Sequence, residues 1–205
     1  MGKLTLTTFL TLDGVMQAPG GPREDPSDGF EHGGWLVPYA DPDVGRFLSE
    51  VFGRARAFLL GRTTYEVFAA HWPHVTDPEH PIARRLNHLP KHVASGTLDR
   101  VTWEHSALVR DVRREVPELK LRYEGELQVH GSAGLARTLL RERLVDELNL
   151  LVFPVVLGHG KRLFEADTAP SAFTLRSART IGAGVQLATY ALAGTPDYGS
   201  FAAED

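Results

Sequence analysis

Two glycine-bearing segments of the chain have residue types that can bind an anion through the backbone. The first, 61-GRTT-64, follows the apolar run 57–61, and the second, 131-GSAGL-135, follows a strand pattern over 126–130. A helical pattern begins after each segment, so free N–H groups and the positive end of a helix dipole would lie at both turns. Glycine, which has no Cβ, would let the backbone approach a phosphate. The segments therefore predict an anion site, although 131–135 lacks the G-x-G-x-x-G spacing and turn geometry alone would also explain Gly131 and Gly134.

Arg62, Thr63 and Thr64 occupy the predicted first turn of the helix after Gly61. A basic side chain at a helix N-terminus opposes the helix dipole, and an anion bound between the guanidinium and the amides would remove that cost. The two threonines would add hydroxyl donors beside the free N–H groups. In the alternative interpretation, Arg62 is a solvated surface residue and the threonines only cap the helix.

Asp13 directly follows the predicted strand 3–11 and precedes Gly14, a pair that favours a turn. An acid at the carboxyl end of a strand can face a ligand crevice, so Asp13 is the candidate catalytic residue, for orienting substrate or water. In the alternative interpretation, its carboxylate holds the backbone of the turn.

The sequence argues against cysteine chemistry and against a metal site. The chain has no cysteine, which excludes disulfides, thiolate catalysis and cysteine-based zinc sites. His71 and His74 are close in sequence, but Pro73 breaks the helix that would space them and no acidic ligand accompanies them. We therefore predict no metal site.

Strand and helix patterns alternate along most of the chain. Alternating or apolar runs predict strands at 3–11, 57–61, 91–95, 101–106, 126–130 and 145–158. Helical spacing predicts helices at 41–55, 63–72, 82–89, 107–119 and 132–144. Two alternating runs, 172–181 and 185–192, flank Gly182 and Gly184 and predict a β-hairpin. This order predicts an α/β fold with a mixed, mostly parallel central sheet, flanking helices and a C-terminal antiparallel hairpin.

Length, composition and charge narrow the class of protein. The 205 residues suggest one domain, which we assign to 1–193, with a flexible tail over 194–205. The net charge of −4 argues against a broad nucleic-acid surface. The sequence has neither a signal-peptide pattern nor an apolar run long enough for a membrane helix, so we expect a cytoplasmic protein without a membrane partner. Residues 17–34 are rich in Gly, Pro and Asp and predict a long loop of the kind that often covers a site.

Several of these motifs together resemble a known family. They are TLDG (11–14), LLGRTTYE (59–66), VASGTL (93–98), VHGSAGL (129–135) and LVDELNLLVFPVVLGHGKRLF (144–164). The chain resembles the dihydrofolate-reductase-like superfamily, in particular stand-alone proteins related to the reductase domain of the bifunctional riboflavin-biosynthesis deaminase-reductase, the RibD C-terminal domain. The resemblance runs over about residues 3–193 and implies the fold of that superfamily. It also implies a homodimer formed by the hairpin and the 144–164 block.

The resemblance implies an NADPH site and assigns residues to its parts. In such a site, the pyrophosphate and 2′-phosphate would lie against Gly61, Arg62, Thr63 and Thr64, and the adenosine end near Ser95 and Gly96. The glycine-rich turn against the pyrophosphate would comprise Gly131, Ser132, Ala133, Gly134 and Leu135, and Met16 would lie near the nicotinamide. We expect the substrate under the 17–36 loop, walled by Phe30 and Trp35.

The function implied is an NADPH-dependent reductase of a small heterocyclic substrate. Two narrower alternatives remain open: the 5-amino-6-(5-phosphoribosylamino)uracil reductase of riboflavin biosynthesis, and a non-catalytic NADP-binding protein. The riboflavin-pathway reductases usually carry glutamate where this chain has His130. The acidic residue that dihydrofolate reductases carry before their GR-T motif falls near Gly45 in this sequence. Both departures concern the substrate and leave the implied cofactor site unchanged.

Overall fold

The computed structural model describes residues 1–166 and 168–201, which build one eight-stranded sheet. The strands are β1 (Lys3–Thr11), β2 (Ala55–Gly61), β3 (Lys91–Ala94), β4 (Ser106–Val109), β5 (Glu126–Val129), β6 (Glu147–Phe153), β7 (Ala172–Ile181) and β8 (Val185–Gly194). Their order across the sheet is β4-β3-β2-β5-β1-β6-β8-β7. The first six in this order pair in parallel, and β8 and β7 add the antiparallel edge. The predicted mixed sheet with a C-terminal hairpin is confirmed.

Helices follow the strands and flank the sheet. They are α1 (Pro42–Arg54), α2 (Arg62–His71), α3 (Pro81–His88), α4 (Val112–Arg122) and α5 (Ala133–Arg141). Short 3₁₀ turns occur at Ser27–Gly29, Val37–Tyr39 and Trp72–His74. None of the helices in the described part of the chain has the length and apolar character needed to cross a membrane. The predicted tail over 194–205 includes residues 202–205, which lie outside the described residues.

The core lies on both faces of the parallel part of the sheet. β1 is central and covered on both faces, so that even Thr5 and Thr7 are buried beside Leu4 and Leu6. On one face, α4 and α5 pack their apolar sides on β1 and β5. On the other face, α1, α2 and α3 cover β2 and β3 together with the segment that precedes α1. The carboxyl ends of the parallel strands are thereby left as one edge, at which α2 and α5 begin.

The strand predicted at 101–106 is wrong, and so is the helix start at 107. The hydroxyl of Tyr65 accepts the backbone N–H groups of Thr102 and Trp103 at 2.9 and 3.0 Å, and the Trp103 ring packs in the core. Residues 106–109 instead pair with β3. The helix starts only after Asp111, whose carboxylate caps it.

The strand predicted at 145–158 is too long. β6 ends at Phe153 because Pro154 follows and cannot donate to a β-ladder. The residues after it form a loop that returns to the end of β1, where the Leu12 N–H donates to Val155 O at 2.8 Å. This loop supplies side chains to the site described below.

Candidate functional site

Two strand-to-helix turns lie side by side at the carboxyl edge of the sheet. β2 and β5 are parallel neighbours, and α2 and α5 begin immediately beyond them. The two turns touch: a Cβ added to Gly61 would lie 1.9 Å from Ser132 Oγ, and one added to Gly131 would lie 2.9 Å from Thr64 Oγ1. Gly131 also has a φ of +104°, which favours glycine. Turn geometry and close approach therefore both require glycine here.

The first turns of α2 and α5 leave their backbone N–H groups available. Side chains cap α1, α3 and α4, through Asp41, His80 and Asp111. Neither Gly61 before α2 nor Ser132 before α5 makes a side-chain cap within the described residues, and neither first turn contains an acid. Two helix N-termini with free donors thus face the same crevice, the arrangement that favours an anion.

A polar cavity of about 470 Å³ lies in front of these helix ends. Its lining combines both turns with the end of β3 and includes Gly61, Arg62, Thr63, Ser95, Gly96, Ser132, Ala133, Gly134 and Leu135. Nine of the twelve residues expected at the cofactor therefore meet in one cavity. The other three expected residues, Met16, Thr64 and Gly131, line a second cavity beside it.

Basic side chains outnumber acids around the polar cavity. Arg62, Arg110, Arg137 and Lys161 line it with one carboxylate, Asp25, among the described residues. Arg62 donates to Thr97 Oγ1 at 3.0 Å and to Glu66 at 2.8 Å, which places its guanidinium between α2 and the Ser95–Gly96 turn. Arg137 pairs with Glu165 and Lys161 with Asp25, so the cavity combines two helix dipoles with cations that already have carboxylate partners.

Arg110 shapes the far wall of the polar cavity. Its two terminal nitrogens donate to Ser95 O and Leu98 O, each at 2.7 Å. The Ser95 hydroxyl in turn accepts the N–H of Leu98 at 3.0 Å. Arg110 therefore holds the turn after β3 in a fixed shape.

A larger cavity of about 750 Å³ adjoins the polar one. The two share five lining residues, which are Asp25, Thr63, Ser132, Ala133 and Lys161. The larger cavity lies between the end of β1, the helices α1, α2 and α3, and the loop that follows β1. Apolar side chains form most of its helical side: Leu48, Phe52, Val67, Phe68, Trp72 and Ile82.

His130 lies in the wall of the larger cavity and is held by a chain of hydrogen bonds along β5. Its ring stacks on Phe52 with centroids 4.2 Å apart, and its Nε2 lies 3.1 Å from Gln128 Oε1. The Gln128 amide nitrogen donates to Glu126 Oε2 at 2.7 Å and to Val51 O at 2.6 Å. Since Gln128 Oε1 can only accept, the Nε2 of His130 must donate, and Nδ1 carries the lone pair. Burial lowers the pKa of His130 to about 3, so the ring is neutral at physiological pH.

Two acids of the loop after β1, Glu24 and Asp25, line the larger cavity, and their pKa values are shifted in opposite directions. Burial raises the pKa of Glu24, although the N–H groups of Gly20 and Gly21 act in the opposite direction. Burial also acts on Asp25, but its ion pair with Lys161 at 2.7 Å and the Ser27 hydroxyl prevail and lower its pKa. Asp25 is therefore a charged partner of Lys161, and Glu24 retains its proton to higher pH than an ordinary glutamate.

Asp13 faces the backbone of the loop after β6. Its carboxylate accepts the N–H groups of Leu157 and Gly158 at 3.2 and 2.8 Å, and the Thr11 hydroxyl at 2.6 Å. Burial favours the protonated form, but these hydrogen bonds prevail and lower the pKa of Asp13 to about 2. Asp13 lines neither of the two cavities, and these hydrogen bonds favour the interpretation in which its carboxylate holds the turn. Its role in orienting substrate or water stays a prediction.

Phe30 and Trp35 are not brought to either cavity. Both are buried in the cluster beneath the loop, where Trp35 packs edge-on against Phe153 and its Nε1 donates to Gln17 O at 2.8 Å. Gln17 in turn accepts the N–H of Lys161 at 3.0 Å. These aromatic side chains support the loop from below, and the loop presents other residues to the cavity.

The site also contains residues that sequence reasoning did not single out: Glu24, Asp25, Arg110, Arg137 and Lys161. They come from the long loop, the segment before α4, the body of α5 and the loop after β6. Lys161 stands in the HGKRLF stretch, which belongs to the blocks that carry the family resemblance, and that was the available signal for it. In the described part of the chain, three or more His, Asp or Glu side chains do not gather as metal ligands would.

Comparisons with known proteins agree with this architecture. The RibD C-terminal domain matches residues 2–187. The uncharacterized proteins YyaP and YwjB of Bacillus subtilis (strain 168) are 26% and 28% identical over 92% and 90% of this chain, and over 94% and 95% of their own lengths.

Solved structures share the fold at low sequence identity. A putative riboflavin biosynthesis protein from Shewanella sp. PV-4 has a TM-score of 0.69 at 20% identity, covering 93% of this chain and 98% of its own. A pyrimidine reductase-like protein from Corynebacterium diphtheriae gives 0.61 at 12%, with 93% and 92% covered. Dihydrofolate reductase from Enterococcus faecalis, complexed with NADP(H) and RAB-propyl, gives 0.62 at 15%, with 94% and 97% covered. The fold is dihydrofolate-reductase-like, and the chain belongs to the RibD C-terminal domain family.

Proposed function

We propose that the protein is an NADPH-dependent reductase of a small heterocyclic substrate. The observation that supports this most strongly is the pair of uncapped helix N-termini, α2 and α5, that face one cation-lined cavity next to a mostly apolar one. Membership in the RibD C-terminal domain family and the NADP(H)-complexed relative of the same fold support the choice of cofactor.

The residues present fit this cofactor. The polar cavity would take the pyrophosphate between the first turns of α2 and α5. These turns approach closely because Gly61 and Gly131 have no Cβ, and Gly134 leaves open space at the start of α5. Arg62 beside the Ser95–Gly96 turn would bind the 2′-phosphate at the adenosine end. The nicotinamide end of the cofactor would pass the five residues that line both cavities and lie near Met16 in the larger cavity.

The chain's own contribution is binding, orientation and exclusion of water. When bound, NADPH supplies the hydride. The helix ends and cations hold the charged part of the cofactor, so that the ring end is fixed at the apolar cavity. The loop that carries Glu24 and Asp25 lines the larger cavity together with α2. The charged pair Lys161–Asp25 marks the boundary between the two cavities.

Titration with NADPH, followed by nicotinamide fluorescence, tests the proposal, together with NADPH oxidation over a panel of neutral heterocycles and carbonyl compounds. We expect saturable binding and substrate-dependent loss of absorbance at the reduced-nicotinamide band. Absence of binding up to roughly 100 µM, within the usual KM range, would overturn the cofactor assignment. Binding without oxidation by any compound would instead favour a non-catalytic NADP-binding protein. Rescue of a strain lacking the riboflavin-pathway pyrimidine reductase would favour that narrower activity.

We also propose a homodimer through the hairpin. β7 is the edge strand of the sheet, and Leu175 on it is 52% exposed, although apolar. Light scattering after size exclusion should give about twice the mass of the chain, 22.6 kDa. Leu175→Arg should shift the mass towards the monomer, and an unchanged mass would contradict the assignment of this face.

A further inference from the structure

We propose that the larger cavity takes an uncharged, planar compound of one or two fused rings, and that His130 accepts a hydrogen bond from an N–H or O–H group of this compound. The inference deepens the proposed function and rests on it, since the compound would be the substrate that lies beside the nicotinamide.

The cavity wall favours a flat apolar body. Leu48 and Phe52 of α1, Val67 and Phe68 of α2, and Ile82 of α3 surround the space on the side away from the polar cavity. A volume of about 750 Å³ lies within the range of small-molecule sites and leaves room for a nicotinamide and a further ring system. Aromatic rings in the wall, such as Phe52, offer stacking to a planar ligand.

His130 provides the polar atom that would orient this body. Its Nε2 is used by Gln128, whose own orientation is fixed because its amide nitrogen faces two acceptors, Glu126 and Val51 O. Nδ1 therefore holds a lone pair, and it makes no hydrogen bond within the described residues. Among the described residues, the polar side-chain atoms that are fully buried without a hydrogen-bond partner are Thr5 Oγ1 and Ser106 Oγ. Nδ1 of His130 is not one of them. An accessible acceptor on a cavity wall is the complement of a ligand N–H or O–H.

The charges around the cavity disfavour a charged ligand at its apolar end. Lys161 lies where the two cavities meet, beside the proposed site of the cofactor phosphates and away from the apolar end, and it pairs with Asp25 at 2.7 Å. Arg23 lies on the exposed part of the loop, at the rim. The ring of His130 stays neutral because protonation would place a buried charge against Phe52 and Phe58. A phosphorylated ligand placed under α1 and α3 would lose its hydration without a partner. This predicts rejection of phosphoribosylated compounds.

Three matched probes separate the features of the ligand. 2-Naphthol has a planar body and an O–H donor, 2-methoxynaphthalene keeps the body without the donor, and 2-naphthyl phosphate adds charge. Calorimetric titration is done on the full chain with NADP⁺ in excess, which occupies the polar cavity. We expect 2-naphthol to bind about 3- to 10-fold more tightly than 2-methoxynaphthalene, the value of one neutral hydrogen bond. 2-Naphthyl phosphate should bind at least about 100-fold more weakly than 2-naphthol, the scale of a buried uncompensated charge. Equal or tighter binding of the phosphate would overturn the proposal.

A variant pair assigns the donor preference to His130. His130→Phe keeps a ring against Phe52 and removes the acceptor, so the preference for 2-naphthol over 2-methoxynaphthalene should disappear. Phe52→Leu changes the wall without touching the acceptor, and should weaken both compounds while keeping their ratio. A preference that persists in His130→Phe would contradict the role of His130. The pH dependence provides a second measurement, for which His130→Phe is the reference because Glu24 and His71 also line the cavity. A loss of 2-naphthol affinity centred near pH 6.5, the ordinary value for histidine, that is present in the wild-type protein and absent in His130→Phe would also contradict the role of His130.

The outcome can be separated from that of the proposed function. NADPH binding is measured in the same instrument without naphthyl compounds. If NADPH fails to bind while the 2-naphthol preference is found, the reductase proposal fails and the ligand class stands. If NADPH binds and the three probes show no preference, the ligand class fails alone.

Discussion

The ammonium of Lys161 lies 2.7 Å from the carboxylate of Asp25, although the two residues are 136 positions apart in sequence. Both side chains line both cavities, so this ion pair lies at the boundary between the proposed sites of the cofactor's charged part and of the substrate. Substitutions of Lys161 and of Asp25 should have different effects on NADPH binding, because the ammonium attracts a phosphate and the carboxylate repels it.

Lys161→Met should weaken NADPH binding by about ten- to a hundredfold, since a charge-assisted hydrogen bond of about 1.5–3 kcal/mol is lost and Asp25 is left unpaired. Asp25→Asn serves as the matched control: it keeps the cation and should leave NADPH affinity within a few-fold or improve it. Fluorescence titration measures both. Equal weakening in the two variants would indicate that the pair acts by holding the loop, with no direct part in binding.

Arg62→Ala should weaken NADPH about ten- to a hundredfold and NADH much less, because only NADPH carries the 2′-phosphate. Arg114→Ala is a suitable control, since that arginine is exposed on α4 and pairs with Glu118. Titrations with the two cofactors give the ratio. If NADPH and NADH are weakened equally, Arg62 contacts the pyrophosphate or acts indirectly.

Gly61→Ala should destabilise the protein by about 1–3 kcal/mol, because its Cβ would overlap Ser132 Oγ. The double variant Gly61→Ala with Ser132→Ala should recover part of this loss. Gly134→Ala is the control for stability, because a Cβ there meets nothing within 4 Å. Urea unfolding followed by circular dichroism measures each variant. A Gly134→Ala protein that unfolds as easily as Gly61→Ala would argue against a specific contact.

The same Gly134→Ala variant separates folding from binding. The open space in front of Gly134 belongs to the polar cavity, where the pyrophosphate is proposed to lie. The added methyl group should therefore reduce NADPH affinity at unchanged stability. Unchanged affinity would place the pyrophosphate elsewhere in the cavity.

Acid should destabilise the protein well before its ordinary carboxylates titrate. Burial lowers the pKa of His130 to about 3 and that of His92 to about 4, from 6.5 in the unfolded chain. The unfolded chain thus binds more protons between pH 6.5 and pH 4, and the free energy of unfolding falls as the pH falls through this window. Each histidine contributes a slope of up to about 1.4 kcal/mol per pH unit.

Urea unfolding at pH 7, 5.5 and 4.5 checks this expectation. His92→Gln should reduce the slope, because it removes one of the two protons taken up on unfolding. His74→Gln is the surface control, since His74 is exposed. Asp13 affects stability only at lower pH, because its pKa is about 2 in the folded protein and 3.8 for an ordinary aspartate. Its contribution to the free energy of unfolding is therefore lost only as the pH falls below 3.8. A flat profile from pH 7 to pH 4.5 would contradict the assigned states of both histidines.

Local signals predicted the parts of the site that are local in sequence. The turns at Gly61 and Gly131 could be placed because a glycine between a strand pattern and a helix pattern has few other uses. The parts of the site that depend on tertiary contacts could not be predicted from the sequence. Lys161 meets Asp25 only because the loop after β6 returns to the end of β1, and Phe30 and Trp35 look the same in sequence whether they face a ligand or support a loop. Trp103 likewise interrupts a plausible strand because the Tyr65 hydroxyl accepts its N–H.

β5 assigns different tasks to its two faces. Glu126, Gln128 and the following His130 form the hydrogen-bonded chain that reaches the larger cavity, whereas Leu127 and Val129 are buried in the cluster with α4 and α5. If His130 has the proposed role, substitutions at that residue would alter which compound is accepted without unpacking Leu127 and Val129. Ligand preference could then change over evolutionary time at the end of this strand while its apolar face keeps the scaffold together.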